Sequence, residues 1–280
     1  MGSAVTGQFP VPGAQLYTET RGSGPLLLFV VGGNGDPASF SGVADKLAAN
    51  FTVVTYARRG FARSPVDGPV DDANRIATDA EDAAALIAGH GGGPARVFGS
   101  SSGAIVTLDL VTRHPDLVQV AVVHEPPILE LLDDPGAWAK RFAGVFSTYE
   151  TAGLWPAMAQ FGQAVGLGGR TPPPPGADVA PEIAMIERAQ ANMTFWMEHE
   201  FRQYPVYQPD FDALAAVAEK VVPAGGRDSR ENGNMPFLPV VTLAGRLGRD
   251  IAEFPGGHLG YAEHPDEFAA QLNRVLGAGQ

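Results

Sequence analysis

Short apolar runs alternate with amphipathic stretches along the first part of the chain, and each run predicts an element. Gln15 to Thr20 and Leu26 to Val31 have the pattern of strands, separated by the turn residues Arg21-Gly22-Ser23-Gly24-Pro25. The second run ends in Gly32-Gly33-Asn34-Gly35-Asp36-Pro37, too rich in turn formers to continue a strand. A short helix is expected over Ser41 to Ala49, and the β-branched and aromatic run Phe51 to Tyr56 predicts a strand. From Ile76 to Ile87, residues Ile76, Ala80, Ala83, Ala84 and Ile87 share one helical face. Asp79, Glu81 and Asp82 fall off that face and are read as solvated. Ala95 to Phe98 is the next strand, Ala104 to His114 the next helix, and Val118 to His124 a nearly all-apolar strand of the kind covered on both faces.

The alternation then stops. From Pro126 to about Asp212 the chain has mostly helical spacing and many aromatic residues, among them Trp155, Phe195, Trp196 and Tyr207, with a stiff exposed loop at Pro172 to Pro175. The strand pattern resumes at Lys220 to Ala224, followed by a helix over Phe237 to Leu247, a strand over Asp250 to Phe254 and a closing helix over Pro265 to Leu276. Strands alternating with helices predict an α/β fold, a mostly parallel central sheet flanked by helices. The aromatic helical stretch predicts a helical cap inserted after the sixth strand, so that 1–127 and 211–280 form the core and 128–210 the cap.

Bulk properties narrow the function classes. A chain of 280 residues with 45% hydrophobic and 18% charged residues can bury a large core. Its longest apolar run, Leu26 to Val31, is far too short to cross a bilayer, so no membrane association is expected. No charged-then-apolar leader opens the chain, and a cytoplasmic location is expected. The opening Met-Gly-Ser-Ala-Val-Thr matches a loose acylation pattern, read as a chance match in an Ala- and Gly-rich chain. The formal net charge is −12, and the only basic cluster is Arg58, Arg59 and Arg63, which argues against a nucleic-acid partner. Cysteine is absent, which removes disulfides and thiolate chemistry, and the six histidines lack metal-ligand spacing, so no metal is expected.

The candidate chemistry begins at Gly99-Ser100-Ser101-Ser102-Gly103, a Gly-x-Ser-x-Gly between a predicted strand and a predicted helix. At a nucleophile elbow the turn is tight enough to hold the central residue in a strained conformation, and glycines two positions either side prevent a clash of strand with helix. That would lift the Ser101 hydroxyl beside a helix N-terminus, where developing negative charge is favoured. A serine needs an adjacent base, itself oriented by an acid, and on this kind of fold the chain order is Ser, acid, His. His258, in Phe254-Pro255-Gly256-Gly257-His258-Leu259-Gly260, follows the last predicted strand and fits the base. Two carboxylates fit the acid. Asp228 follows the Lys220 to Ala224 strand, and Glu125 sits where the preceding strand leaves the sheet, with two prolines behind it. Spacing alone does not separate them. An oxyanion hole needs two N–H donors, expected from Ser102 and from Gly33 or Asn34.

With Ser101, His258 and the glycine loop identified, the chain resembles the α/β-hydrolase superfamily over nearly its whole length, from Gln15 to Leu276. Within it the chain looks most like the zearalenone lactonase group and its actinobacterial relatives. The matching segments are Gly99 to Ala104, His114-Pro115-Asp116, His124-Glu125-Pro126-Pro127, Pro255-Gly256-Gly257-His258 and His264-Pro265. It departs from the usual pattern in having Gly32-Gly33 where His-Gly often opens the oxyanion loop, and Ala57 where Asp often precedes Arg-Gly. The resemblance implies that Glu125 is the triad acid, with Asp228 as the alternative. It implies a cofactor-free serine hydrolase acting on a small apolar ester or lactone. The aromatic cap adds that the substrate is ring-containing, with Trp155, Phe195, Trp196 and Tyr207 as the residues that touch it. A Ser at the elbow excludes the Asp-nucleophile dehalogenases and epoxide hydrolases of this fold. A non-hydrolytic enzyme using the same triad (a perhydrolase or a lyase) and a ligand-binding homologue are the alternatives, and a homodimer is left open.

Overall fold

The computed structural model describes residues 4–61, 63–168 and 180–277, with the backbone alone for 180–184. Its centre is one eight-stranded sheet built from Val5–Val11 (β1), Ala14–Arg21 (β2), Leu26–Val30 (β3), Thr52–Tyr56 (β4), Ala95–Ser100 (β5), Val118–His124 (β6), Val221–Gly226 (β7) and Ala252–Phe254 (β8). The spatial order is β1-β2-β4-β3-β5-β6-β7-β8. Strands β3 to β8 pair in parallel, and β2 joins β4 antiparallel. The fold is therefore the mostly parallel α/β architecture that the sequence pattern predicts.

One strand has no counterpart among the expected elements. Gly7 and Pro10 interrupt any alternation in β1, yet it forms an antiparallel hairpin with β2. It pairs on one side only, which is where a sheet tolerates a proline.

The helices are Ser41–Leu47 (α1), Arg75–Gly89 (α2), Ser102–Arg113 (α3), Pro135–Ala152 (α4), Leu154–Val165 (α5), Ala180–His199 (α6), Phe211–Ala216 (α7), Arg227–Glu231 (α8), Leu238–Leu247 (α9), Gly260–Glu263 (α10) and Pro265–Val275 (α11). Successive side chains of a strand point to opposite faces, and β3 shows how this builds two cores. Leu28 and Val30 face α2 and α3, in one cluster with Ala80, Ile87, Ile105 and Leu108. Leu27, Phe29 and Val31 face α1 and α11, packing with Val43, Leu47, Phe268 and Leu272. Each buried Leu, Ile, Val or Phe side chain among these contributes roughly 1.5–3 kcal/mol relative to exposure.

A third apolar cluster gathers Phe142 and Val145 of α4, Leu154, Ala157 and Met158 of α5, and Trp196 and Met197 of α6 with Phe201, Phe61 and Met235. These helices lie between β6 and β7, in keeping with the expected insertion. The Pro172 to Pro175 loop lies outside the described residues. Among those residues, no helix is long and apolar enough to cross a membrane. The reading of Asp79 and Asp82 as solvated is overturned: both are buried, at 1% and 2% exposure. Asp79 is paired with Arg58, and Asp82 with Arg59. Arginines reaching across from the chain after β4 satisfy these carboxylates, a contact that helical periodicity cannot register.

Candidate active site

Ser101 sits between the end of β5 and the start of α3 with φ 58° and ψ −126°, left-handed for a residue with a side chain. Such a conformation costs of order 1–3 kcal/mol and persists only where the surroundings enforce it. Here the enforcement is steric. A Cβ on Gly99 would lie 2.2 Å from Thr107 Oγ1 and 2.3 Å from Gly103 O, and one on Gly103 would lie 2.1 Å from Val30 O. The Ser101 N–H donates to His124 O at 2.9 Å, tying the turn to the next strand. Because α3 begins at Ser102, its N-terminal N–H groups directly follow Ser101.

The loop after β3 passes against this elbow. A Cβ on Gly32 would lie 3.0 Å from both Ser100 O and Ser101 Cβ. Gly33, Asn34 and Ser102 line the same cavity as Ser101 and His258. All three predicted oxyanion donors therefore share a cavity with the serine.

His258 is carried by the loop after β8. Gly256 takes φ 75°, where a Cβ would lie 2.8 Å from Gly260 Cα, and a Cβ on Gly226 would lie 2.6 Å from Gly256 O. These close approaches bring the ends of β7 and β8 together and direct His258 back over the sheet. Its Nδ1 lies 2.7 Å from Glu125 Oε2. The other oxygen of Glu125 accepts the Gly226 N–H at 2.8 Å. Glu125 is fully buried and, with φ 49°, is the second left-handed non-glycine residue among those described. Its backbone N–H donates to Ala224 O at 3.0 Å.

Burial by itself would raise the pKa of this carboxyl. The His258 hydrogen bond outweighs that, helped by interaction with the adjacent His124 and His258 rings and by the Gly226 N–H, and holds the pKa at about 2. The carboxylate is thus ionised where it meets the imidazole. His124, the residue before it, is also fully buried, and burial pushes its pKa down to about 4. Its ring stacks 6.2 Å from that of His258, and its Nδ1 lies 3.0 Å from Ser100 Oγ.

Of the two carboxylates left open by spacing, only Glu125 reaches the imidazole. Asp228 lies in the first turn of α8, its side chain 46% exposed and 3.5 Å from Arg227. Its backbone N–H donates to Gly256 O at 2.9 Å, so it lies near the histidine loop while its carboxylate bonds elsewhere.

Of the four cap aromatics expected to touch substrate, Trp196 lines the cavity, and Trp155, Phe195 and Tyr207 are not among its lining residues. Phe195 is next to Trp196 on α6, about 100° around a helix of 3.6 residues per turn. It packs instead on Phe61 at 4.9 Å between ring centres and against the Arg75 guanidinium at 4.8 Å. The Tyr207 hydroxyl donates to Asp109 at 3.2 Å, and Trp155 is half-buried on another face of α5. The cap residues that do line the cavity include Phe142, Met158, Phe161, Val165 and Phe201. Met158, Phe161, Gly162 and Val165 stand at one helical face of α5, a spacing that could have found them. No Asp, Glu, Lys or Arg lines the cavity among the described residues. Nor do those residues contain a group of three His, Cys, Asp or Glu that could hold a metal ion.

Comparison with known proteins identifies the family and the fold. A family model described as "Alpha/beta hydrolase family" matches residues 27–271. An uncharacterized hydrolase of Bacillus subtilis is 36% identical over 275 residues, covering 96% of this chain and 95% of the relative. A zearalenone hydrolase of Bionectria ochroleuca is 27% identical over 273 residues, covering 92% of each. Among solved structures, an alpha/beta hydrolase from Sphaerobacter thermophilus superposes with a TM-score of 0.67 at 23% identity, over 96% of this chain and 100% of that one. At that identity the likeness shows the fold alone.

Proposed function

The chain belongs to the alpha/beta hydrolase family, and on that premise we propose that it is a cofactor-free serine hydrolase cleaving neutral, apolar carboxylic esters or lactones. The observation that carries this reading is the 2.7 Å contact between buried Glu125 and His258, made where His258 and the strained Ser101 face one cavity. Ser101 Oγ attacks the carbonyl carbon while His258 Nε2 takes its proton. Glu125 holds Nδ1–H and stabilises the imidazolium. The negative oxygen of the tetrahedral intermediate is bound by the N–H of Ser102 with that of Gly33 or Asn34. His258 then returns the proton to the departing alkoxide, and water, activated by the same imidazole, releases the acid from Ser101.

The substrate class follows from the walls. A cavity lined by aromatic and aliphatic side chains without a formal charge binds by area, and it leaves an ionised substrate group unpaired. The likeness to a zearalenone hydrolase makes zearalenone one compound to include among the lactones tested.

The test is a panel of p-nitrophenyl esters and lactones with the wild-type chain and Ser101→Ala, together with labelling by a fluorophosphonate. The expected result is hydrolysis and labelling by the wild type, with kcat lower by about 10³-fold or more in the variant. Wild-type activity in Ser101→Ala would overturn the reading. So would absence of both turnover and labelling in the wild type, which would favour a ligand-binding role.

A further inference from the structure

Behind the loop after β3 lies a buried charge cluster. Arg58, just past β4, has no exposed surface. Its Nε donates to Val31 O at 2.9 Å and its Nη2 to Gly32 O at 3.0 Å. The remaining donor positions face acids: Nη1 lies 2.6 Å from Asp79 Oδ2, and Nη1 and Nη2 each lie 2.7 Å from a Glu200 oxygen. Glu200 is also buried, one residue past the end of α6, and accepts from Arg75 Nε at 2.9 Å. The Tyr204 hydroxyl donates to Asp79 at 2.5 Å. Two guanidiniums are thus balanced by two carboxylates, but an apolar cluster of the same volume is often at least as stable as buried ions. Stability alone therefore does not account for the arrangement.

What the cluster does supply is direction. Gly32 C=O and Gly33 N–H belong to one planar trans peptide, so they point opposite ways. A guanidinium that fixes Gly32 O from behind turns Gly33 N–H toward the other side, where Gly33 lines the cavity beside Ser101. Helix α6 reaches the same loop at two more points. The Trp196 indole covers Gly33 so closely that a Cβ there would lie 2.4 Å from Nε1, and Arg188 Nε donates to Asp36 Oδ2 at 2.7 Å.

We propose that Arg58 and Glu200 are positioning residues through which the seated cap helix α6 sets the Gly32–Gly33 peptide, so that the oxyanion donor is in place only when the cap is docked. The catalytic half of this inference rests on the hydrolase reading, whereas the structural half does not.

Two readouts separate them. The first is hydrogen exchange of the Gly35 amide, which is buried and bonded to Gly32 O at 3.0 Å. The second is kcat and KM on a p-nitrophenyl ester, with the inhibition constant of a trifluoromethyl ketone that forms an oxyanion on Ser101. In Arg58→Met and Glu200→Gln, Gly35 exchange is expected to rise at least tenfold. The kcat should fall about 10–100-fold with KM within twofold, and ketone affinity should fall by the same factor as kcat/KM. Arg58→Lys should recover part of each change, because an ammonium can still reach one of the two carbonyls.

Should the first two variants not fold, Arg58→Lys and the less buried Arg188→Gln decide, with expected effects of about threefold in both exchange and kcat relative to the wild type. Unchanged Gly35 exchange in any folded variant of Arg58 or Glu200, or a rise in KM with kcat unaltered, overturns the proposal. If the wild type turns over neither ester nor lactone and is not labelled, the hydrolase reading fails while the exchange experiment still decides whether the clamp exists.

Discussion

Two described residues with side chains hold a left-handed backbone, and both stand at the same level of the sheet. Ser100 of β5 pairs with His124 of β6, and Ser101 and Glu125 are the next residues on each strand. Each strained residue is pinned by its own N–H, to His124 O and Ala224 O respectively. The strain therefore sits where two side chains leave adjacent strands toward one histidine loop. Glu125→Gln should lower kcat by about 10³–10⁴-fold, because an amide no longer stabilises the imidazolium or selects its tautomer. Asp228→Asn should leave kcat within about twofold of wild type, and equal losses from the two substitutions would reverse the assignment of the acid. The sequence could not decide between these carboxylates, because an Asp in a turn and an acid behind a histidine look alike until the backbone is placed. His124 gives a separate prediction. Its folded pKa of about 4 lies below an unfolded value of about 6.5, so the unfolded chain binds the extra proton in that window. The stability associated with its neutral form is full above pH 6.5 and falls with pH, by about 2 kcal/mol at pH 5. Urea unfolding at pH 7.5 and 5.0 should show the wild type losing about that much more than His124→Phe. Identical losses would mean that His124 stays solvated or already charged.

At the level of elements, the core and the helical insertion after the sixth strand were legible, whereas the side chains that face the cavity were not. Strand β3 alternates between two helix layers with a period of two, and such periods are visible in a linear chain. The elbow was legible too, because close packing demands glycine at Gly99 and Gly103. Gly103→Ala would drive a methyl group into Val30 O, and neither β3 nor α3 can retreat without moving Ser101. A loss of at least about 3 kcal/mol is expected in urea unfolding, at the upper end for a core substitution, and a loss under 1 kcal/mol would show that the elbow is looser than its contacts imply. In the cap, aromatic content signalled an apolar chamber but not which rings face it. Trp196 lines the cavity, whereas Phe195 next to it lies against His199 with the rings tilted and 4.5 Å between centres. Arg58 illustrates the same limit: its sequence neighbours mark a basic cluster, but its partners lie 21 and 142 residues away.

For the molecule as a whole, a net charge of −12 surrounds a cavity without a charged lining residue among those described. Both features disfavour an anionic substrate, one during approach and the other on desolvation. A neutral p-nitrophenyl hexanoate should be cleaved at least about tenfold more efficiently than an analogue ending in a carboxylate. Added salt should narrow that gap by speeding the anionic ester alone. Equal efficiencies at low salt would count against a charge-free binding wall. The Glu125–His258 hydrogen bond closes a separation of 133 residues, with the cap lying within that span. A chain leaving the ribosome therefore displays Ser101 and Glu125 before His258 is made, and on the proposed mechanism it is inert toward esters throughout that interval. Refolding from denaturant should follow the same order, with helical circular dichroism returning before turnover, and simultaneous recovery would contradict it. Activity through the proposed triad would thus be a late reporter of folding, registering that the loop after β8 has closed over the sheet.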